Sequence, residues 1–432
     1  MKIKSISFLS ILTLFFFNSC KSNIENIKID NKTNVKINNS IEGKILAGYQ
    51  GWFNAEGDGS NLNWKHYANN KQFNPGNTSV DFWPDVSELD KDELFKTEFV
   101  YKDGEPAYVF SSANAKTVNR HFKWMKDYSI DGVFVQRFTA NFKNQKLKNN
   151  LNVVFDNCFN GAKNNDRVLS IMYDLSGSKQ SDVVENTKND WKQLVDTYKL
   201  NNPNNSNILT YKSKAVVAIW GVGFKNRYYT LDNIKELINF FKNDPIYGNC
   251  SVLLGVPTHW RELINDAVSE PKLHDVIKMA DILHPWTPGR YKNLKGVDNH
   301  KIQKTIKDIE WCENENLLYM PVVFPGFSWS NLKQDPSLID DIPRLKGDFL
   351  WRQLYNAISS NAKTIYVAMF DEMDEGTCIF KVTDNPPVGE NKFLTYEGLP
   401  SDYYLWLTGQ ASKMLKKEIL LREEKPLYPF KK

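Results

Sequence analysis

Residues 364–377 read TIYVAMFDEMDEGT, and this stretch decides the fold. Thr364, Ile365, Tyr366, Val367, Ala368, Met369 and Phe370 form a β-branched, apolar run of the kind that fills a strand buried on both faces. The run ends at four acids within five positions, Asp371, Glu372, Asp374 and Glu375, and Gly376 then breaks the element. A buried strand with carboxylates at its C-terminal end is what an enzyme on a parallel β/α scaffold needs. Carboxylates held at a strand end can serve as acid, base or nucleophile, as glycoside hydrolysis requires. The competing reading is a solvated acidic turn after a core strand.

Seven more apolar runs precede it: 45–52 (ILAGYQGW), 132–138 (GVFVQRF), 168–174 (VLSIMYD), 215–220 (AVVAIW), 251–257 (SVLLGVP), 280–286 (ADILHPW) and 317–324 (LLYMPVVF). Helical periodicity lies between them. It covers 115–127, 182–199, 231–242, 302–313, 346–359 and 402–421, the last with Ser401 as its candidate N-cap. Eight strands alternating with helices specify a (β/α)8 TIM barrel. Segment 53–131 is longer than one crossover needs. It reads as an elaborated first β/α loop with its own helix, on the side where barrel enzymes build their sites. The alternative, a doubly wound open sheet, has no G-x-G-x-x-G or phosphate-loop signature in its support.

The chain has 432 residues, 41% hydrophobic and 13% aromatic, enough for one large barrel. Its net charge of +4 comes from interspersed charges with no basic block, which argues against a nucleic-acid partner. At the N-terminus Lys2 and Lys4 precede a short apolar run over 6–17, too short for a membrane span. Ser19 then precedes Cys20. The segment resembles a bacterial lipoprotein signal. The expectations are a signal peptide over 1–20, lipidation at Cys20, a flexible Asn- and Lys-rich tether over 21–42 and a catalytic domain over 43–432. The protein would be exported and lipid-anchored to the cell envelope. An ordinary cleaved signal is the alternative. Cys158, Cys250, Cys312 and Cys378 show no C-x-x-C spacing, so a structural zinc site is not indicated. They suit buried free thiols as well as disulfides. No metal or cofactor motif occurs.

In a barrel, the C-terminal strand ends converge on one mouth. They carry Tyr49, Gln50 and Trp52; Gln136 and Arg137; Tyr173 and Asp174; Trp220; His259 and Trp260; His284, Trp286 and Arg290; Phe327 and Trp329; and the acids from Asp371 to Glu375. Indole and phenol rings pack on the C–H faces of sugars, and amides and charges meet their hydroxyls. The expected substrate-binding set is Tyr49, Trp52, Arg137, Tyr173, Trp220, His284, Trp286, Arg290, Trp329, Asp371 and Asp374. For any one aromatic in this set, packing at the edge of the core is the competing role.

Residues 370–379, FDEMDEGTCI, resemble the Phe-Asn-Glu-Trp-His-Glu-Gly-Thr-Gln-Ile signature of glycoside hydrolase family 99, the endo-α-mannosidases and endo-α-mannanases. Residues 321–329 (PVVFPGFSW), 351–367 (WRQLYNAISSNAKTIYV) and 47–53 (AGYQGWF) resemble segments in the same order in that family and in family 71-like proteins. The resemblance implies catalytic roles for Glu372 and Glu375. Glu372 would be the base on the sugar 2-hydroxyl, and Glu375 the acid and then base of a retaining α-glycosidase with a mannan-like substrate. The family's Asn, Trp and His stand here as Asp371, Met373 and Asp374. That departure leaves other substrates open, including those of a xylosidase- or arabinosidase-type hydrolase. The functional alternative is a lipid-anchored glycan-binding protein without catalysis. A redox or nucleotide-dependent barrel enzyme has no phosphate-cradling motif behind it.

Overall fold

The computed structural model describes residues 38–430 of the chain. Eight parallel strand positions alternate with helices. The strands are β1 (Ile45–Tyr49), β2 (Gly132–Phe138), β3 (Val168–Asp174), β4 (Lys214–Trp220), β5 (Ser251–Pro257), β6 (Ile282–Trp286), β7 in two pieces (Leu318–Tyr319 and Val322–Val323) and β8 (Ile365–Val367). The helices are α1 (Ala115–Asp127), α2 (Gln145–Asn164), α3 (Val183–Tyr198), α4 (Leu231–Asn243) and α5 (Lys272–Ile277). They continue with α6 (Leu294–His300 and Ile306–Asn314, joined by a π turn), α7 (Asp348–Ser359) and α8 (Tyr403–Leu415).

The sheet closes on itself. β1 pairs with β2 (Leu46 opposite Gly132) and with β8 (Leu46 opposite Tyr366). The first piece of β7 pairs with β6 and the second with β8. The ladder of β7 is interrupted at Met320–Pro321, where proline supplies no N–H. Even so, Met320 N still donates to Leu283 O, and Pro321 O accepts from Tyr366 N. The (β/α)8 barrel expected from the sequence is therefore present.

Alternation along each strand sorts the core into two layers. Leu46, Phe134, Met172, Ala218, Leu253, Ile282, Leu318 and Tyr366 fill the barrel interior. Ala47, Val135, Ile171, Ile219, Leu254, Leu283 and Val367 face the helices. The interior is tight at Gly48, where a Cβ would lie 2.1 Å from Tyr366 Oη. Asn114 and Asn144 cap α1 and α2, each side chain accepting two backbone N–H bonds. α2 has an evident apolar stripe in Leu147, Leu151, Val154, Phe155 and Cys158 but was not among the helices expected from the sequence.

The first β/α loop differs in detail from expectation. Its helix is α1, the crossover itself, and the added structure is a β-hairpin, Phe95–Val100 with Pro106–Val109. Buried rings of Phe53, Tyr67, Phe73, Trp83, Phe99 and Phe110 hold the loop together. It is fastened to the loops after β7 and β8. Asp81 N donates to Met373 O (3.1 Å), while the Asp81 carboxylate accepts from the N–H groups of Ser330 and Asn331 (both 2.8 Å). At α8 the N-cap is Asp402 rather than Ser401.

The four cysteines 158, 250, 312 and 378 are free and buried. The expected tether is not loose at its end. Asn39 Nδ2 donates to the carbonyls of Pro203, Asn205 and Ile208, Ile41 N bonds Thr210 O, and Ile41 is fully buried. Fixed structure thus begins a few residues before Gly43. The expected signal segment, Cys20 and most of the tether lie outside the described residues.

Candidate active site

The acidic segment leaves β geometry at the point where the chemistry needs it to. The β8 ladder ends at Val367, and Phe370 N still reaches Gly48 O at 2.7 Å. The chain then turns over Met373–Gly376, and the N–H groups of Thr377 and Cys378 both return to Glu372 O (3.1 and 3.0 Å). Gly376 has φ +64°, and a Cβ there would meet Ser328 N at 2.7 Å. Arg344, buried against Phe82, Tyr396 and Tyr404, donates to Gly376 O and Cys378 O (2.8 and 2.7 Å). On a regular strand Glu372 and Glu375 would face opposite sides. The turn brings both into one cleft of about 310 Å³.

That cleft sits at the C-terminal mouth of the barrel. Gln50 and Trp52 line it from beyond β1, Gln136 and Phe138 from β2, Asp174 from β3, Trp220 from β4 and Trp286 from β6. Trp220 and Trp286 meet edge to face at 5.4 Å. Glu372, 4% exposed, accepts from Gln50 Nε2 and Thr377 Oγ1, each at 2.5 Å. Burial pushes its carboxyl well above the usual range, and the charges of Glu375 and Asp374 add to the shift. Burial likewise raises Glu375 to about 7, helped by Asp374 and opposed by Lys333. The two carboxyls titrate as a pair. Gln50 and Thr377 stabilise a charge on Glu372 against the opposing effect of burial, whereas no hydrogen-bond donor to the Glu375 carboxyl is found among the described residues. The mouth also holds buried atoms without a hydrogen-bond partner among the described residues, Gln50 Oε1, Trp52 Nε1, Trp220 Nε1, Trp329 Nε1 and Asp374 Oδ1.

The expected substrate-binding set divides. Trp52, Trp220 and Trp286 line the cleft. Trp329, like Trp220 and Trp286, packs against the interior cluster, with the Lys333 ammonium over its ring. His284 points into the barrel but is fully buried and edge-on to Tyr366 at 4.4 Å; burial lowers its pKa to about 3.

Four residues are corrected outright, because their side chains are fully buried away from the cleft. Tyr49 Oη bonds His121 Nδ1 (2.9 Å). Arg137 forms a two-pronged pair with Asp190, and Tyr173 Oη donates to the same carboxylate (3.0 Å). Asp371 accepts the backbone N–H groups of Gln50 and Gly51 (2.8 and 2.9 Å), so it anchors the chain after β1 and does not line the cleft. Arg290 is exposed and paired with Asp266 (2.8 Å), which also bonds His259.

Asp374 is 2% exposed and is not among the residues that line the cleft. Its Oδ2 bonds His66 Nδ1 at 3.0 Å, and the His66 ring lies flat on Trp52, centroids 3.9 Å apart and 4° from parallel. The sequence put an aspartate where the family signature has histidine. An imidazole nevertheless stands beside the turn, delivered by the first β/α loop. His66 was missed because nothing in its local sequence marks it. Gln50, Gln136 and Asp174 had been noted as strand ends and left out of the binding set.

No protein-family model and no curated protein matches the sequence. Among solved structures, a GH99 endo-α-mannosidase from Bacteroides thetaiotaomicron superposes with a TM-score of 0.63 at 14% identity, covering 87% of this chain and 98% of that one. The same kind of enzyme in complex with bis-tris-propane gives 0.59, 14%, 88% and 98%. At this identity the likeness is one of fold. The chain has the (β/α)8 architecture seen in the GH99 endo-α-mannosidases, over nearly the whole length of those proteins.

Proposed function

We propose that the protein is a glycoside hydrolase that cleaves α-glycosidic bonds in a polysaccharide or oligosaccharide, a mannan-like polymer, with retention. The observation that carries this reading is the pair Glu372 and Glu375, both on one tryptophan-walled cleft, where burial and like charge raise both carboxyls so that they give up their protons one after the other. Glu372 takes the proton of the sugar 2-hydroxyl, and O2 closes on C1. The C1–O bond to the leaving group breaks, and Glu375 delivers its proton to the departing oxygen. Glu375, now a carboxylate, draws a proton from water, which opens the 1,2-anhydro ring at C1. Glu372 returns its proton to O2. No metal enters these steps.

The test is hydrolysis of a panel of α-linked polysaccharides by the mature protein, with the product anomer read by NMR. Retained α-product supports the reading. An inverted product removes the anhydro-sugar route. Tight glycan binding with no hydrolysis replaces the enzyme with a glycan-binding protein. Export and lipidation at Cys20 belong to the same proposal, on the strength of the N-terminal sequence alone.

A further inference from the structure

A second chamber of about 290 Å³ opens beside the cleft and shares Trp52, Phe138 and Ser176 with it. The partition between them is a stack of three rings. His66 lies on Trp52, and Trp52 lies on Phe138 at 5.4 Å and 24°. A chain bound at the glutamates that passes this stack enters the chamber. Its lining is unlike that of the cleft, which is walled by indoles and carboxylates. Here Leu62, Ala140, Leu147 and Leu151 supply an apolar wall, and His66 and Lys65 stand as the basic groups. Of the other polar lining residues, Asn54 and Asn150 are spent on each other through reciprocal amide bonds of 3.0 and 3.1 Å, and Asn141 and Ser176 stand apart from the leucines along the sequence. His66 is different. Its Nδ1 faces Asp374, which leaves Nε2 without a partner among the described residues.

We propose that this chamber holds the sugar next to the one at the glutamates, and that it selects a ring whose outward substituent is apolar, a 6-deoxy methyl or an O-methyl group. The proposal rests on the cleft being a sugar site. A hydroxyl turned toward the leucines loses its water without a replacement partner. A methyl group in the same place gains burial. The His66 imidazole, fixed by Asp374, takes a ring hydroxyl at Nε2, so it contributes affinity to either kind of sugar, while the leucines discriminate. One group of this size in an apolar pocket discriminates by about tenfold or more.

The experiment uses the full mature chain with Glu375→Gln, so that binding is read without turnover. The probes are two pairs of glycosides that differ only at C6: methyl α-D-mannopyranoside with its 6-deoxy analogue, and methyl α-L-galactopyranoside with methyl α-L-fucopyranoside. Titration should show the deoxy member of at least one pair binding about tenfold tighter, with its C6 methyl receiving the strongest saturation transfer by NMR. In Leu147→Asn, a change at a partly exposed position, the preference should vanish while weak binding persists. In His66→Ala both members should weaken alike. Equal affinity within both pairs, no binding by any probe, or a preference that survives Leu147→Asn overturns the proposal. Hydrolysis by the wild type is a separate readout. Cleavage without the preference sinks only the chamber. The preference without cleavage sinks only the enzyme.

Discussion

Gln50 and Glu372, 322 positions apart in sequence, are joined by a hydrogen bond of 2.5 Å from amide Nε2 to carboxylate Oε1. One residue follows the first strand and the other the last, so the bond crosses the seam where the barrel closes. Beside it the Asp371 carboxylate holds the backbone of Gln50 and Gly51. The proposed base is therefore positioned by the junction itself.

Glu375→Gln and Glu372→Gln should each lower turnover by about 10²–10⁴-fold, the usual contribution of a general acid or base. Steady-state kinetics should show the loss in kcat, with the melting temperature no lower than that of the wild type. Near-normal rates in both variants would place the chemistry elsewhere.

Stability should fall as pH rises through neutrality. Glu375 keeps its proton up to about 7 in the folded chain against 4.5 as its ordinary value, and Asp371 does so up to about 7 against 3.8. Unfolding therefore releases protons in this window. The stabilisation is complete below the unfolded values and is lost as pH passes through the folded ones. Melting temperatures recorded from pH 4.5 to 8 should slope downward, and the slope should be shallower in Glu375→Gln. The same proton makes the rate fall on the alkaline side of about 7.

Asp371→Ala should cost about 2–6 kcal/mol, because two buried N–H groups lose their acceptor at about 1–3 kcal/mol each. Urea denaturation should show the lower midpoint. Activity at a temperature where the variant stays folded should drop as well, since Gln50 loosens behind Glu372.

Gly376→Ala should destabilise by about 1–3 kcal/mol for a side chain forced into the left-handed region, before the clash with Ser328 is counted. Among the folded fraction, the turn should fail to bring Glu375 beside Glu372, so kcat should fall more than the stability loss explains. Normal kcat per folded molecule would show that the turn tolerates a Cβ.

Removing residues 21–37 should leave the melting temperature of the barrel unchanged, whereas removal through residue 42 should lower it, because Asn39 and Ile41 are docked. Cys20→Ala should move the protein out of the membrane fraction. Membrane retention after clean processing would argue against lipidation.

The barrel was legible because eight apolar runs and intervening helical stripes carry its period directly. The mouth was legible only in part. Tyr49, Arg137 and Tyr173 sit one residue out of phase with Gln50, Gln136 and Asp174. The two-residue alternation that buries Leu46, Phe134 and Met172 inside the barrel turns the first three toward the helices and the second three toward the cleft. Applied strand by strand, that parity was available in the sequence. The roles of Asp371 and Asp374 were not. One is defined by backbone N–H groups of the first strand and the other by a histidine from a long irregular loop, and both partners come near only when the barrel closes.

The docking of Asn39 and Ile41 also fixes an orientation. They lie against Thr210, which pairs with Ala215 at the start of β4, while Trp220 at the far end of that strand lines the cleft. The described chain thus begins at the floor of the barrel, opposite its open mouth. If Cys20 carries a lipid, the eighteen residues up to Asn38 give a leash of at most about 65 Å at 3.3–3.6 Å per residue, joined to the barrel at its floor. On that reading the point of attachment and the entrance for a glycan lie at opposite ends of the barrel.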